Sequence, residues 1–203
     1  MRIVLTRPAG RGEALAERLR AQGHEVACVP LTRVEDAEAF PDPAQFDGVL
    51  FASPAAVERA PAGARWPRVG AVGATTARAL SARGIRVDVV GGGGGVELAD
   101  EWGPALGRRL LLPQAEDAHP DLAARLRDAG AHVTCAAVYR TVPVAEVDRP
   151  LLERAELICF FAPSAVRAFT ALRVATGARF WGLGETTRAA MAERGLEAGA
   201  FEL

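Results

Sequence analysis

Apolar and polar positions form two textures along the chain. Short runs that are apolar at almost every position alternate with longer mixed stretches in which leucine or alanine returns every three or four residues. The opening run "IVLT" predicts a strand. The stretch 13–21 places Leu15 and Leu19 four apart, on one face of a helix, and Gly23 follows where a left-handed C-cap is wanted. "VACVPL" is the next strand. "GVLFA" shows no polar alternation, as expected of a strand covered by helices on both faces. Ser53-Pro54 then reads as an N-cap with proline at the first helical position. "RVGAVG" and "RFWGLG" read as strands that end in glycine before a helix capped by threonine. Strands alternating with helices imply parallel sheets and right-handed crossovers, a doubly wound α/β fold.

The pattern occurs twice. Residues 2–34 match 109–141, with Leu19, Gly23, Val26, Cys28 and Arg33 recurring as Leu126, Gly130, Val133, Cys135 and Arg140. "VLFASPAAV" matches "ICFFAPSAV", and "AVGATTARALSARGI" matches "FWGLGETTRAAMAERGL". Three segments recurring in one order, in two copies, indicate an internal duplication into two small α/β domains rather than a solenoid. The acidic, proline-bearing stretch 32–45 and the proline-bearing stretch 140–150 follow equivalent points of the copies and read as connections. The run Gly91–Gly95 reads as a solvated loop tip, with a mobile lid as the alternative.

Composition narrows the chemistry. The net charge is -1 over 203 residues, which argues against a nucleic-acid or membrane-surface partner. All 24 basic residues are arginine, so a P-loop lysine, a pyridoxal Schiff base and a lysine nucleophile are excluded. No run approaches the roughly 20 apolar residues that span a bilayer. No signal peptide is expected, and three distant cysteines fit a reduced cytoplasmic protein. Cys28 and Cys135, at matching strand positions, are expected to be buried. His24, His119 and His132 show no metal spacing.

Five loops combine glycine or proline with a hydroxyl: Thr6-Arg7-Pro8, Ser53-Pro54, Gly73-Ala74-Thr75-Thr76, Ala162-Pro163-Ser164 and Gly184-Glu185-Thr186-Thr187. Each is expected past the carboxyl end of a strand, where ligands bind in such folds. Unpaired helix N–H groups there suit an anion. Plain capping accounts for any one of these loops; five along one edge suggest an anion-binding cleft. Tyr139, the only tyrosine, ends a strand and is either a packing aromatic or a hydroxyl donor. A non-catalytic two-domain binding protein for an anionic small molecule stays open beside an enzyme. A nucleotide- or flavin-using enzyme lacks its glycine fingerprint in "GLGETT".

In order, "VLTRP", "LFASPAAV", "AVGATTARAL", "GAHVTCAAVYRTVP", "FFAPSAV" and "LGETTRAAMAERGL" resemble the uroporphyrinogen-III synthase family over nearly the whole chain. The chain departs from the familiar fingerprint at Ala52, Ala162 and Glu185. The resemblance implies two α/β domains, residues 1–31 with 148–203 and residues 38–138, joined by extended linkers 32–37 and 139–147, with the N-terminal segment swapped into the C-terminal domain. It implies a monomer that takes hydroxymethylbilane and removes water from its hydroxymethyl end. Through an azafulvene and a spiro-pyrrolenine, ring D is inverted and the macrocycle closes to uroporphyrinogen III, with no metal or organic cofactor. Tyr139 matches the family tyrosine and becomes the expected donor to the departing water. Ser53, Thr76, Ser164 and Thr186 match hydroxyl positions of the ligand loops. Thr6, Arg7, Gly73, Thr75, Arg140, Gly184 and Thr187 complete the expected substrate contacts. Because the substrate carries eight carboxylates and the chain is nearly neutral, backbone amides are expected to hold most of them, with Arg7 and Arg140 adding charge.

Overall fold

The computed structural model of the chain describes residues 1–199 and 201. The chain divides into two compact units, Met1–Val34 with Thr141–Leu203, and Glu35–Arg140. The first contains β1 (Arg2–Leu5), α1 (Glu13–Ala21) and β2 (Glu25–Cys28); the chain then enters β3 (Thr32–Asp36), which crosses into the second unit. There follow β4 (Gly48–Phe51), α2 (Pro54–Glu58), β5 (Arg68–Ala71), α3 (Ala74–Ala82), β6 (Val89–Val90), α4 (Gly95–Trp102), β7 (Arg109–Ala115) and α5 (Asp121–Asp128). The long strand β8 (His132–Pro143) leads back to α6 (Arg149–Glu153), β9 (Leu157–Phe160), α7 (Pro163–Leu172), β10 (Arg179–Gly182) and α8 (Gly184–Ala192).

Among the described residues, the first unit holds a four-stranded sheet in the order β10-β9-β1-β2. Ile3 stands beside Val26 on one side and Leu157 on the other, both in parallel register. The amino-terminal strand is therefore central in a sheet whose other half comes from the chain's last third. The second sheet runs β3-β8-β7-β4-β5-β6, with β4 parallel to both β5 and β7.

The unbroken apolar runs follow from burial on two faces. Val4, Ile158 and Phe160 pack with Ala165, Val166, Phe169 and Met191 of α7 and α8. Their neighbours Ile3, Leu5, Leu157 and Cys159 pack with Ala16 and Leu19 of α1 on the opposite face. In the second unit Val49 and Phe51 face α2 and α3, while Leu50 faces α4 and α5. Burying such a side chain stabilises the fold by about 1.5–3 kcal/mol, so a polar residue at any of these positions is costly. Gly48 makes room for the buried Trp102: a Cβ there would stand 2.4 Å from the indole.

Several local expectations differ from the structure. The Thr-Thr pairs do not cap their helices. Gly73 is the N-cap of α3 and Leu183 that of α8, neither with a side-chain cap hydrogen bond. The threonines lie within the first turn of each helix, and the second of each pair, Thr76 or Thr187, turns into the core, 3% and 2% exposed. Cys135 is exposed, and Cys28 only half-buried; Arg127 lies along the outer face, its Nη2 3.6 Å from the Cys135 sulfur. The glycine run is no free tip throughout. Gly91 is buried and donates its N–H to Ala71 O at 2.8 Å, and Gly95 already opens α4.

Candidate active site

In each sheet the parallel strands deliver their following loops to one carboxyl edge. In the second unit β4 ends at Phe51 and the chain turns at Ser53, which is extended (φ -153°, ψ 151°) as an N-cap must be. Its Oγ accepts the Ala56 N–H at 3.2 Å, and Pro54 takes the first helical position. β8 reaches the same edge at Tyr139, which stands opposite Ala115 after a register irregularity in β7. The two hydroxyls meet, Ser53 Oγ and Tyr139 Oη, at 3.0 Å across 86 residues of sequence. The Tyr139 ring is packed against the cluster built on Val49, Phe51 and Val138. Its hydroxyl is therefore held at a defined point on a partly buried side chain. Tyr139 does not end its strand as expected, since β8 runs on to Pro143, but it stands level with Ala115, the last residue of β7.

The next loop, after β5, brings Gly73 in an extended conformation (φ -174°) with Thr75 exposed beyond it. Thr75 Oγ1 accepts from Arg78 Nη2 at 3.3 Å. A Cβ at Gly73 would lie 3.5 Å from Gly93 Cα, so the glycine-rich loop runs alongside this helix start. Arg140, one residue past Tyr139, does not stand free. Its Nε and Nη2 both lie 3.2 Å from Glu35 Oε2, an exposed pair that neutralises the charge locally.

The first unit presents a different edge. Thr6 is 1% exposed, and both its N–H and its hydroxyl donate to Cys159 O, at 3.1 and 2.9 Å, so it ties β1 to β9. Arg7 follows. Its Nη1 donates to Arg11 O at 3.2 Å, and its guanidinium lies 4.3 Å from the Phe161 ring centroid. Phe161 in turn contacts Trp181, with centroids 5.9 Å apart. The Arg7 Nε is buried with no acceptor among the described residues. Burial, and then the positive charge of Arg11, lower the proton affinity of this guanidinium. An incoming carboxylate would relieve both effects. Ser164 sits partly buried in the first turn of α7, and Gly184 opens α8 with φ +73°, a conformation natural only to glycine. Thr186 is exposed and Thr187 buried, mirroring Thr75 and Thr76.

Of the residues singled out in the sequence, Ser53 and Tyr139 are brought together directly. Thr6, Thr76 and Thr187 are turned inward, and Arg140 is paired. The sequence reading missed Phe161 as the platform under Arg7, although the doubled Phe160-Phe161 at a strand end is a legible signal for one ring inside and one at the rim. No group of three or more metal-ligating side chains occurs among the described residues.

A family model described as uroporphyrinogen-III synthase HemD matches residues 13–200. The crystal structure of uroporphyrinogen-III synthetase from Helicobacter pylori superposes with a TM-score of 0.69 at 20% identity, covering 98% of this chain and 91% of that one. A mutant uroporphyrinogen III synthase from Thermus thermophilus gives 0.62 at 22% identity, covering 98% and 90%. No curated protein sequence matches significantly. The two structures share the fold, a mixed α/β architecture with parallel sheets. The family match spans nearly the whole length and includes Ser53, Tyr139 and every other loop described above except Thr6-Arg7-Pro8. The chain belongs to the uroporphyrinogen-III synthase family.

Proposed function

We propose that Tyr139, held by Ser53, is the proton donor with which this chain carries out its family's reaction, the conversion of hydroxymethylbilane to uroporphyrinogen III. The chain is a cyclising lyase of tetrapyrrole biosynthesis. The observation that carries the assignment is the 3.0 Å contact between the two hydroxyls. Ser53 Oγ already accepts the Ala56 N–H, so its own proton is free to be donated to the phenol oxygen. The phenol proton then points outward, to the leaving hydroxyl of the substrate. As the C–O bond breaks, the hydroxide takes this proton and departs as water. The residual bilane is an azafulvenium cation. The Ser53 hydroxyl stabilises the charge left on the Tyr139 oxygen until that oxygen takes back the pyrrole N–H proton, which gives the neutral azafulvene and restores the phenol. Turnover of ring D through a spiro intermediate is then a matter of holding the chain folded, which can remove several kcal/mol of barrier. The proton donor adds a further factor of about 10²–10⁴.

Carboxylates of the substrate are assigned to Arg7 on its Phe161 platform and to the backbone N–H groups at Gly73-Thr75, Ser164 and Gly184-Thr186. Thr75 and Thr186, rather than Thr76 and Thr187, supply side-chain hydroxyls, since the latter pair is buried. Arg140 contributes only if its pair with Glu35 opens. The duplicated pattern supports two domains, 1–31 with 148–203 and 38–138, linked through 32–37 and 139–147. The reading includes no cofactor, a monomer and a cytoplasmic location. The test is to supply purified protein with hydroxymethylbilane and nothing else. Type III product supports the reaction and its independence of cofactors; type I product alone, the uncatalysed isomer, would leave a binding protein.

A further inference from the structure

Arg59 lies outside the loops expected to meet substrate, yet its guanidinium carbon stands 5.4 Å from the centroid of the Tyr139 ring. The residue is the C-cap of the short helix α2, whose N-cap is Ser53. One helical segment therefore carries both groups that touch Tyr139, one on the hydroxyl and one on the ring. The Arg59 side chain is only 16% exposed, unusual for a residue whose head is strongly solvated. Nη1 donates to Ala55 O at 2.9 Å. Asp36 Oδ1 lies 2.9 Å from Nε but off the line of its N–H, so the pair is Coulombic and Nε–H is left without an acceptor. Glu58 Oε2 is 3.8 Å from Nη1. Asp36 is 86% exposed, so its attraction is screened and adds little to stability. A desolvated guanidinium with an unpaired N–H is a poor choice for solubility or packing alone. What the arrangement provides is a planar cation fixed over an aromatic face.

We propose that Arg59 is a positioning residue for Tyr139. Pinned by the Ala55 carbonyl and steered by Asp36, the guanidinium covers one face of the phenol, keeps the ring from swinging away from α2, and so holds the hydroxyl against Ser53. The role rests on the reading of Tyr139 as the proton donor. Arg140, one residue past Tyr139, is engaged with Glu35 and does not substitute.

Because Tyr139 is the only tyrosine, biosynthetic incorporation of meta-fluorotyrosine places a single fluorine reporter on this ring. The parent should give one narrow fluorine NMR resonance displaced from that of the free amino acid. Arg59→Met keeps the stem and removes the planar cation. Its resonance should move toward the free value and broaden or split, while kcat falls about fivefold at unchanged KM, the size expected of a lost cation–π contact. Arg59→Lys should recover only part of both effects, since the ammonium lacks the flat fork. Asp36→Asn, on an exposed side chain that does not endanger folding, should shift the resonance in the same direction by less. If Arg59→Met does not fold, the lysine and asparagine variants carry the test. An unchanged resonance in the folded variants overturns the proposal. A displaced resonance with parental kcat upholds the contact but overturns Tyr139 as the donor, so the two failures are told apart.

Discussion

The Ser53–Tyr139 contact predicts a measurable coupling. Tyr139→Phe removes one partner of a partly buried neutral hydrogen bond, worth about 0.5–1.5 kcal/mol. Ser53→Ala removes the same bond and also the N-cap of α2, for which about 1 kcal/mol is typical. The single variants should therefore cost about 1 and about 2 kcal/mol of stability. The double variant should cost about 1 kcal/mol less than their sum, because the shared bond is lost only once. Urea unfolding of the four proteins reads this directly, and for a chain of this length each kcal/mol corresponds to roughly 2–4 °C in Tm. Activity supplies the second axis. Folded Tyr139→Phe should turn over more slowly by a part of the ~10²–10⁴-fold proton-donor term. Chromatography of the products should show more type I isomer, as the spontaneous closure gains time. Ser53→Ala should show a smaller shift the same way. Zero coupling would mean the hydroxyls do not meet in solution. Type III product at the parental rate from Tyr139→Phe would make the tyrosine a packing residue and remove the mechanism above.

Two glycines separate strain from blockage. Gly184→Val should lose about 1–2 kcal/mol from its left-handed backbone alone, since a Cβ there meets nothing within 4 Å. Gly73→Ala should fold normally, being extended with ordinary contact to Gly93, and a fall in its kcat/KM would place substrate against that loop. Thr75→Ala and Thr186→Ala should leave stability within about 0.5 kcal/mol while lowering substrate affinity; Thr76→Ala and Thr187→Ala should instead cost about 1 kcal/mol each in denaturant unfolding for the buried methyl. Alkylation of the native protein should reach exposed Cys135 and spare buried Cys159, as peptide mapping would show. Burial raises the Cys159 thiol from the ordinary 9.0 to about 12. The folded state thus keeps a proton that the unfolded chain releases. This contribution is intact below about 9 and is lost as the pH climbs toward about 12, so Cys159→Ala should flatten the alkaline fall in stability.

Much of the local structure is legible without coordinates. The four-residue spacing of Leu15 and Leu19, followed by Gly23, marks a helix that the structure places at Glu13–Ala21, with Gly23 at φ +84°. Ser53-Pro54 announces a capped helix start, and the unbroken "GVLF" announces a strand buried on both faces. These follow from interactions between residues near in sequence, or from a pattern that only two-sided burial satisfies. The family is legible too, because six short motifs keep their order. No local pattern decides which strands pair: nothing in "RIVL" says that it lies between β2 and a strand some 150 residues away, and only the family resemblance implied that the amino-terminal segment joins the last third. Tertiary structure alone decided which threonine of each pair faces outward, since a helix beginning at Ala74 or Gly184 rotates the second hydroxyl into the core. Likewise only the assembled sheet brings Tyr139 to Ser53 and Arg59, ties Thr6 to Cys159 and neutralises Arg140 with Glu35. A hydroxyl or a guanidinium in a sequence carries its chemistry but not its partner, because the partner is set by packing between segments far apart in the chain, and there the sharing of hydrogen bonds and the exclusion of water decide what remains for a substrate.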